Sequence, residues 1–148
     1  MDDYMIRERD EDIMRTYFDT LKSMSSTRMD VSVEDVVKQI MRQGASRFWV
    51  SYEAARRVVS QMCRGIKPKV SNRNKLAMYN ELFRRYMVHR ERYGTTGYLI
   101  LSEIIMQPAP SYYMDSFNMR RIVYRGMRRK NEMARRRVEL MRERARGL

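Results

Sequence analysis

The sequence is poor in the residue types on which several classes of protein depend. Among 148 residues there is one cysteine, Cys63, and one histidine, His89. A single cysteine cannot form a disulfide within the chain, which favours a reducing, intracellular compartment. Neither residue has partners at the spacing of zinc ligands, so no zinc site is predicted. No apolar stretch approaches the roughly 20 residues that a membrane-spanning helix needs.

Patterns that would indicate catalysis are also missing. The chain has no glycine-rich phosphate-binding loop, and no histidine lies near Cys63 in sequence. Asp10, Glu11 and Asp12 form a carboxylate cluster, which we interpret as an exposed helix start and not as a magnesium site. The acidic N-terminus differs from a secretory signal, which begins with basic residues. We therefore expect a cytoplasmic, non-catalytic protein with no cofactor, metal, membrane or small-molecule substrate.

What the chain has in excess is positive charge. It carries 31 Lys and Arg against 18 Asp and Glu, a formal net charge of +13. The charge is unevenly placed, because residues 1–35 hold 10 acidic and 5 basic side chains and are net acidic. A basic body of this kind favours a polyanion as partner. Arginine, which outnumbers lysine, is suited to bidentate contacts with phosphate and guanine.

A second feature is an internal repeat. Residues 36–62 align with residues 100–126 at an offset of 64 and without a gap. In this register Ala45 falls on Ala109, and the aromatic pair 48–49 falls on the aromatic pair 112–113. The arginine pair 56–57 likewise falls on the pair 120–121. Such self-similarity predicts a duplicated supersecondary unit.

The apolar spacing and the capping residues predict an all-α protein made of two tandem three-helix, helix-turn-helix-like units. We place the first unit at residues 1–66, the second at 75–127, and a long basic C-terminal helical extension at 128–148. The expected helices span about 3–21, 33–43, 52–62, 75–93 and 97–107, with a last one from 116 to about 146. Their caps are Ser32, Ser51, Thr96 and Asp115, and Gly44 is expected to end the second helix. A small hairpin between the β-forming segments 48–52 and 111–115 stays open.

In a helix-turn-helix unit the first turns of the second helix enter the DNA major groove. On that basis the predicted nucleic-acid contacts in the third helices are Tyr52, Arg56, Arg57, Ser60, Asn118, Arg120, Arg121, Tyr124 and Arg125. The following cations are expected to neutralise phosphates: Arg128, Arg129, Lys130, Arg135 and Arg136. The connection between the helices departs from the usual three or four residues, because about seven separate them.

The aromatic pair in that long connection has two interpretations. Phe48 and Trp49 can plug into the core and fix the angle of the third helix, in which case Trp49 is mostly buried. Alternatively, these side chains and their counterparts Tyr112 and Tyr113 can stack on nucleobases. The core placement is the one we expect.

The stretches SRFWVSYEAARRVVSQM and QPAPSYYMDSFNMRRIVYR resemble a group of short, basic, mostly uncharacterised helical proteins of gut bacteria and their phages. Members have an RFWVS-type aromatic step before a Glu/Ala-rich helix. The resemblance covers residues 36–127 and implies a mobile-element setting in a bacterial host cell.

Taken together, these observations predict a non-catalytic DNA-binding protein of a phage or mobile element, with DNA preferred to RNA. Two alternatives stay open, an RNA-binding protein and a component of phage-like assembly that binds other proteins. A homo-oligomer is also possible, because the acidic first helix can cover the basic face of a neighbouring copy.

Overall fold

The computed structural model of the protein describes residues 1–94 and 97–147. This part of the chain is helical and contains no β-strand, which confirms the all-α prediction. Its helices are α1 (Asp3–Ser25), α2 (Val33–Arg42), α3 (Tyr52–Cys63), α4 (Arg73–Tyr93), α5 (Leu101–Ile104) and α6 (Ser116–Arg146). No helix in the described ranges is long and apolar enough to span a lipid bilayer.

The helix starts follow the capping signals of the sequence. Ser32 accepts a hydrogen bond from the Asp35 N–H at 3.1 Å, and the Asp35 carboxylate accepts one from the Ser32 N–H. Ser51 caps α3, and Asp115 caps α6. These three predictions are confirmed, and so is the end of α6 at Arg146. The cap predicted at Thr96 lies outside the described residues.

The helix predicted at residues 97–107 is reduced to the four residues of α5, so its predicted length was wrong. Tight turns with i to i−3 hydrogen bonds flank it on both sides. The Leu101 N–H donates to the Tyr98 carbonyl at 2.9 Å, and the Gln107 N–H donates to the Ile104 carbonyl at 3.1 Å. Such turns are wound more tightly than an α-helix, and Pro108 cannot extend the segment.

The packing of the helices departs from a helix-turn-helix arrangement. α1 packs on α2 and α6, whereas α4 packs on α3 and α5; α2 also contacts α6, and α3 contacts α5. Within the described residues, α2 does not pack on α3, and α5 does not pack on α6. The expectation of two compact helix-turn-helix pairs is therefore corrected. The long connections between these helices carry each third helix to the opposite half of the protein.

The two connections, residues 43–51 and 105–115, cross in the middle of the protein. Ala45 and Ala109 form an isolated antiparallel bridge, each donating its N–H to the other's carbonyl at 2.9 and 3.0 Å. The Phe48 N–H donates to the Ile105 carbonyl at 2.9 Å. The Phe48 ring is fully buried, which confirms the predicted plug, and Trp49 is less deeply buried. The two connections therefore pair through a single bridge, and they do not form the small hairpin that was an alternative from the sequence.

A buried carboxylate ties α1 to both crossing connections. Asp12 accepts a hydrogen bond from the Tyr112 hydroxyl at 2.9 Å and another from the Ser46 hydroxyl at 3.0 Å. The Thr16 hydroxyl lies 3.0 Å from the Tyr112 oxygen. Burial of the phenol raises the pKa of Tyr112 to about 12. The Asp12 carboxylate raises this pKa further, whereas the hydrogen bond to Thr16 lowers it. These bonds satisfy a charge that would otherwise be costly to bury.

A second polar tie joins α4 to the same region. The Arg85 guanidinium donates to Glu81 at 3.0 Å and to the side-chain oxygen of Gln107 at 3.1 Å. It also lies over the Phe48 ring, 4.8 Å from the ring centroid. Hydrogen bonds from Arg84 and Arg85 lower the pKa of Glu81 to about 2. Both connections are thus held by a charged group as well as by backbone pairing.

Gly44 has a different role from the one expected. α2 ends at Arg42, and Gly44 is not among the residues with positive φ, so it does not form a left-handed helix cap. A Cβ atom at this position would collide with the Ala109 carbonyl oxygen. Glycine is required because the backbones approach too closely for a side chain.

Substitution of Gly44→Ala is expected to lower the free energy of unfolding by about 1–3 kcal/mol, since the new methyl group must push the crossing connections apart. Gly147→Ala is the matched control, because its Cβ would come no closer than 3.5 Å to another residue. Urea unfolding followed by circular dichroism measures both. Equal stability of the two variants would show that the backbones do not meet at Gly44.

The Tyr112 phenol is expected to make stability depend on pH above 10. Its pKa is about 12 in the folded protein against an ordinary value of 10.0. The unfolded chain therefore loses this proton first, and the stabilisation that is complete below pH 10 is lost as the pH rises towards 12. The stability difference between the protein and Tyr112→Phe should shrink by about 2 kcal/mol over that range. Urea unfolding of both proteins at several pH values tests this, and parallel curves would contradict it.

Candidate nucleic-acid interface

The first turns of several helices open onto one cleft of about 430 Å³. Three of the residues that line it are the capping residues of α3, α4 and α6, namely Ser51, Asn72 and Asp115. Met1, which precedes α1, and Arg9, in the second turn of α1, close the fourth side. α3 and α6 have crossed to opposite halves, and the starts of both line this cleft.

The cleft is electropositive. Its lining includes the cations Arg9, Lys75, Arg121 and Arg125, and Asp115 is the one carboxylate among the described residues that line it. The Arg9 guanidinium is paired with the neighbouring Asp10 carboxylate at 3.1 Å. The N-terminal ends of helices add partial positive charge, because their first N–H groups lack partners within the helix. We call this site the basic cleft. Cations and helix N-termini are groups from which anion-binding sites are built, and here Ser51, Asn72 and Asp115 cap the helix starts.

Positions that the predicted repeat makes equivalent line the same basic cleft. Four pairs of lining residues are separated by the offset of 64. They are Trp49 and Tyr113, Val50 and Met114, Ser51 and Asp115, and Ala54 and Asn118. Both predicted units therefore contribute residues to the cleft.

Two aromatic side chains in the cleft are held in place by their neighbours. The Arg47 guanidinium lies 4.9 Å from the centre of the Trp49 ring and donates to the Phe48 carbonyl, and burial lowers the pKa of Arg47. The Trp49 indole nitrogen is buried without a hydrogen-bond partner among the described residues. Tyr113 has a φ of 53°, the left-handed region that bulky residues avoid, and it stacks on Phe48. Strained backbone of this kind clusters at functional sites.

The structure brings some of the predicted residues to the cleft. Asn118, Arg121 and Arg125 of α6 line it. On α3, Arg57 follows Ala54 by three residues and so lies on the same side of the helix. Burial raises the pKa of Tyr79, a residue that lines the cleft, and the positive charge of Arg57 lowers this pKa in part.

Other predicted residues have partners elsewhere. The Tyr124 hydroxyl donates to Glu34 of α2 at 3.3 Å, Tyr52 packs against the core, and Ser60 donates to the Arg57 carbonyl. Arg129 and Lys130 line a different groove, between α1 and α6, and Lys130 lies 4.0 Å from the centre of the Phe18 ring. The predicted cations that line neither site are Arg56, Arg57, Arg120, Arg128, Arg135 and Arg136.

The sequence did not indicate two of the cations in the cleft, Arg9 and Lys75. Arg9 belongs to the acidic segment of the chain, and packing of α1 against α6 brings it to the site. Lys75 arrives because α4 packs against α3. Neither residue is part of a local motif, so only the long-range packing identifies them.

Within the described residues, no three His, Cys, Asp or Glu side chains are grouped so that they could hold a metal ion. Comparison of the chain with protein families, with curated proteins and with solved structures gave no match.

Proposed function

We propose that this protein binds DNA without catalysing a reaction and that the basic cleft is its binding site. The observation that carries the proposal is the convergence of four cations and the starts of three helices on one cleft of a chain with net charge +13. Phosphate contacts supply most of the affinity of sequence-independent DNA binding. Cations and helix N-termini are the groups that make such contacts.

We further propose that the chain is a duplication with a pseudo-two-fold axis through the cleft. The reciprocal packing of the first helices supports this. α1 contacts α2 of its own unit and α6 of the second unit, and α4 contacts α5 of its own unit and α3 of the first unit. Burial agrees at the offset of 64, since Ala55 and Met119 are both fully buried, as are Val59 and Val123. Two-fold proteins match the local two-fold symmetry of duplex DNA. The symmetry therefore favours a duplex over a single strand.

In this proposal the cleft holds a backbone phosphate, and the cations at its rim, Arg57, Arg121 and Arg125, contact neighbouring phosphates. The predicted arginines further along α6 neutralise phosphates outside the cleft. Trp49 and Tyr113 provide an alternative contact, because aromatic rings stack on unpaired bases. A preference for single-stranded DNA or for RNA would identify that mode.

An assembly component that binds proteins, of the kind found in phage-like particles, is the second candidate function. It is favoured by the exposed apolar side chains of the last turns of α6, which include Met133, Leu140 and Met141. Binding to a protein partner through these residues does not require the basic cleft.

The double variant Arg121→Ala/Arg125→Ala is expected to bind duplex DNA more weakly. Because two phosphate contacts are lost, the slope of log K against log salt should become shallower by about 2. Arg42→Ala/Arg92→Ala is the matched control, since both arginines are exposed and line no part of the cleft. Arg92 is at the far end of α4, about 25 Å along the helix from Lys75. The control should keep the original slope.

Fluorescence anisotropy of labelled duplex DNA at several salt concentrations measures the slope. The emission of Trp49, the only tryptophan, reports the cleft itself in the same titration. The proposal is wrong if the two double variants behave alike, or if the protein binds no DNA at low salt. Parallel titrations with single-stranded DNA and with duplex RNA determine the class of nucleic acid.

A further inference from the structure

The last turns of α6 extend beyond the rest of the protein. Every residue of the segment 131–146, which we call the arm, is exposed. At 1.5 Å per residue the arm is about 24 Å long. Helices in proteins gain most of their stability by packing one face, so a solitary helix of this length is marginal in water. The arm would therefore be stabilised by a surface on another molecule.

The sequence at the end of α6 repeats every seven residues. Three consecutive segments, MRRKNEM, ARRRVEL and MRERARG, follow one another from residue 127. If the first residue of each segment is labelled d in an abcdefg heptad, the a and d positions are small or apolar except for one asparagine. A pattern of this kind is typical of a helix in a coiled coil. We call the line of these positions the seam, and its residues are Met127, Asn131, Ala134, Val138, Met141 and Ala145.

The body of the protein covers the seam only at its start. Met127 is partly buried and packs against the core. Tyr124, at the a position before it, donates a hydrogen bond to Glu34 of α2. From Ala134 onward every seam residue is exposed. The seam therefore continues past the helices on which α6 packs.

The exposed half of the seam extends beyond both cavities that α6 lines. The groove between α1 and α6, which we call the α1–α6 groove, includes Ala134 and Arg137 in its lining. No described residue of α6 beyond Arg137 lines this groove or the basic cleft. Within the described chain, nothing covers Val138 or Met141. A nucleic acid would contact the arginines of the arm and leave these apolar side chains exposed, whereas a second helix would cover them.

Positive charge flanks the seam on both sides. All six e and g positions of the three heptads are basic, namely Arg128, Lys130, Arg135, Arg137, Arg142 and Arg144. The glutamates of the arm are at b and f positions instead, namely Glu132, Glu139 and Glu143. In a coiled coil the e and g side chains of one helix face those of the other and determine which helices pair. Two copies of the arm would place cations against cations, which disfavours self-association.

We propose that the arm forms a two-stranded coiled coil with an acidic helix of a different protein. The partner helix places apolar side chains on Val138 and Met141, and its e and g carboxylates meet the cations that flank the seam. Asn131 sets the register, because a single polar residue at an a position specifies how two helices align. The inference rests on the second candidate function, the binding of a protein. It does not involve the basic cleft, so its failure leaves the DNA-binding proposal in place.

A synthetic acidic peptide of three heptads tests the proposal. The peptide has Leu at d, Ile at a except for one Asn opposite Asn131, and Glu at e and g, so that its own copies repel each other. In fluorescence anisotropy at about 0.15 M salt, the labelled peptide should bind the nuclease-treated full chain. The helix content measured by circular dichroism should rise on mixing. The same peptide with Lys at e and g is the control and should not bind.

Two variants of equal charge test the seam. Val138→Glu places a carboxylate in the seam and should weaken binding of the acidic peptide about tenfold or more. Leu140→Glu makes the same change at a c position, outside the seam, and should keep most of the affinity. The two side chains are 46% and 54% exposed, so neither substitution disturbs the core. Equal affinities of the two variants would contradict the proposal.

A second pair of variants separates a helical partner from a nucleic acid. Arg135→Glu, at an e position, should weaken binding of the acidic peptide about tenfold, whereas Arg136→Glu, at an f position, should have little effect. Both arginines are exposed and lie three or four residues from Glu132 and Glu139, so the two changes affect the helix itself equally. Duplex DNA would respond to both changes alike.

The proposal is overturned if the acidic peptide does not bind, or if the lysine peptide binds equally well. It is also overturned if Arg136→Glu weakens peptide binding as much as Arg135→Glu does, because the arm would then act as a general polyanion site. Sedimentation equilibrium of the wild-type protein provides the last check. A dimer that Val138→Glu dissociates would show that the arms pair with each other and not with an acidic helix.

Discussion

The crossing of the two connections at Ala45 and Ala109 is the constraint on which the rest of the fold depends. Both alanines are nearly inaccessible to solvent, so their backbone groups must find partners inside the protein. The two alanines hydrogen-bond to each other, and their backbones approach so closely that position 44 must be glycine. Asp12 then holds both connections to α1 through Tyr112 and Ser46. A buried carboxylate is tolerated there because several donors reach it.

The crossing also determines which residues line the basic cleft. Each connection leads its third helix across the protein, and the starts of α3 and α6 open onto the same cleft. The aromatic residues that follow the crossing, Trp49 and Tyr113, are fixed between these helix starts by Arg47 and Phe48. The positive charge of the basic cleft is thus built from backbone ends as well as side chains. The aromatic part of the cleft is preorganised, since Trp49 and Tyr113 are already packed against the core.

The features that the sequence predicted correctly depend on local signals. The caps at Ser32, Ser51 and Asp115 are local, because each side chain accepts a hydrogen bond from an N–H group only three residues further along the chain. The errors concern long-range choices. The offset of 64 identified Ala45 and Ala109 as equivalent positions, but it could not show that they pair with each other. The arginines of α6 were predicted as a group, whereas the packing of α1 determines which of them share a cleft with Arg9.

The distribution of charge along the chain separates the two cavities that share α6. Ile122 and Arg125 line both the basic cleft and the α1–α6 groove, so α6 is their common wall. What distinguishes them is the opposite wall. The cleft is closed by the starts of α3 and α4 and by Arg9, whereas the groove is closed by α1, which contributes three carboxylates and Arg7. Charges further apart than a Debye length of about 8 Å are largely screened, so the groups that line each cavity influence its local potential more than the net charge of the whole molecule does. α6 presents arginines to both cavities, and the carboxylates of α1 oppose them in the groove.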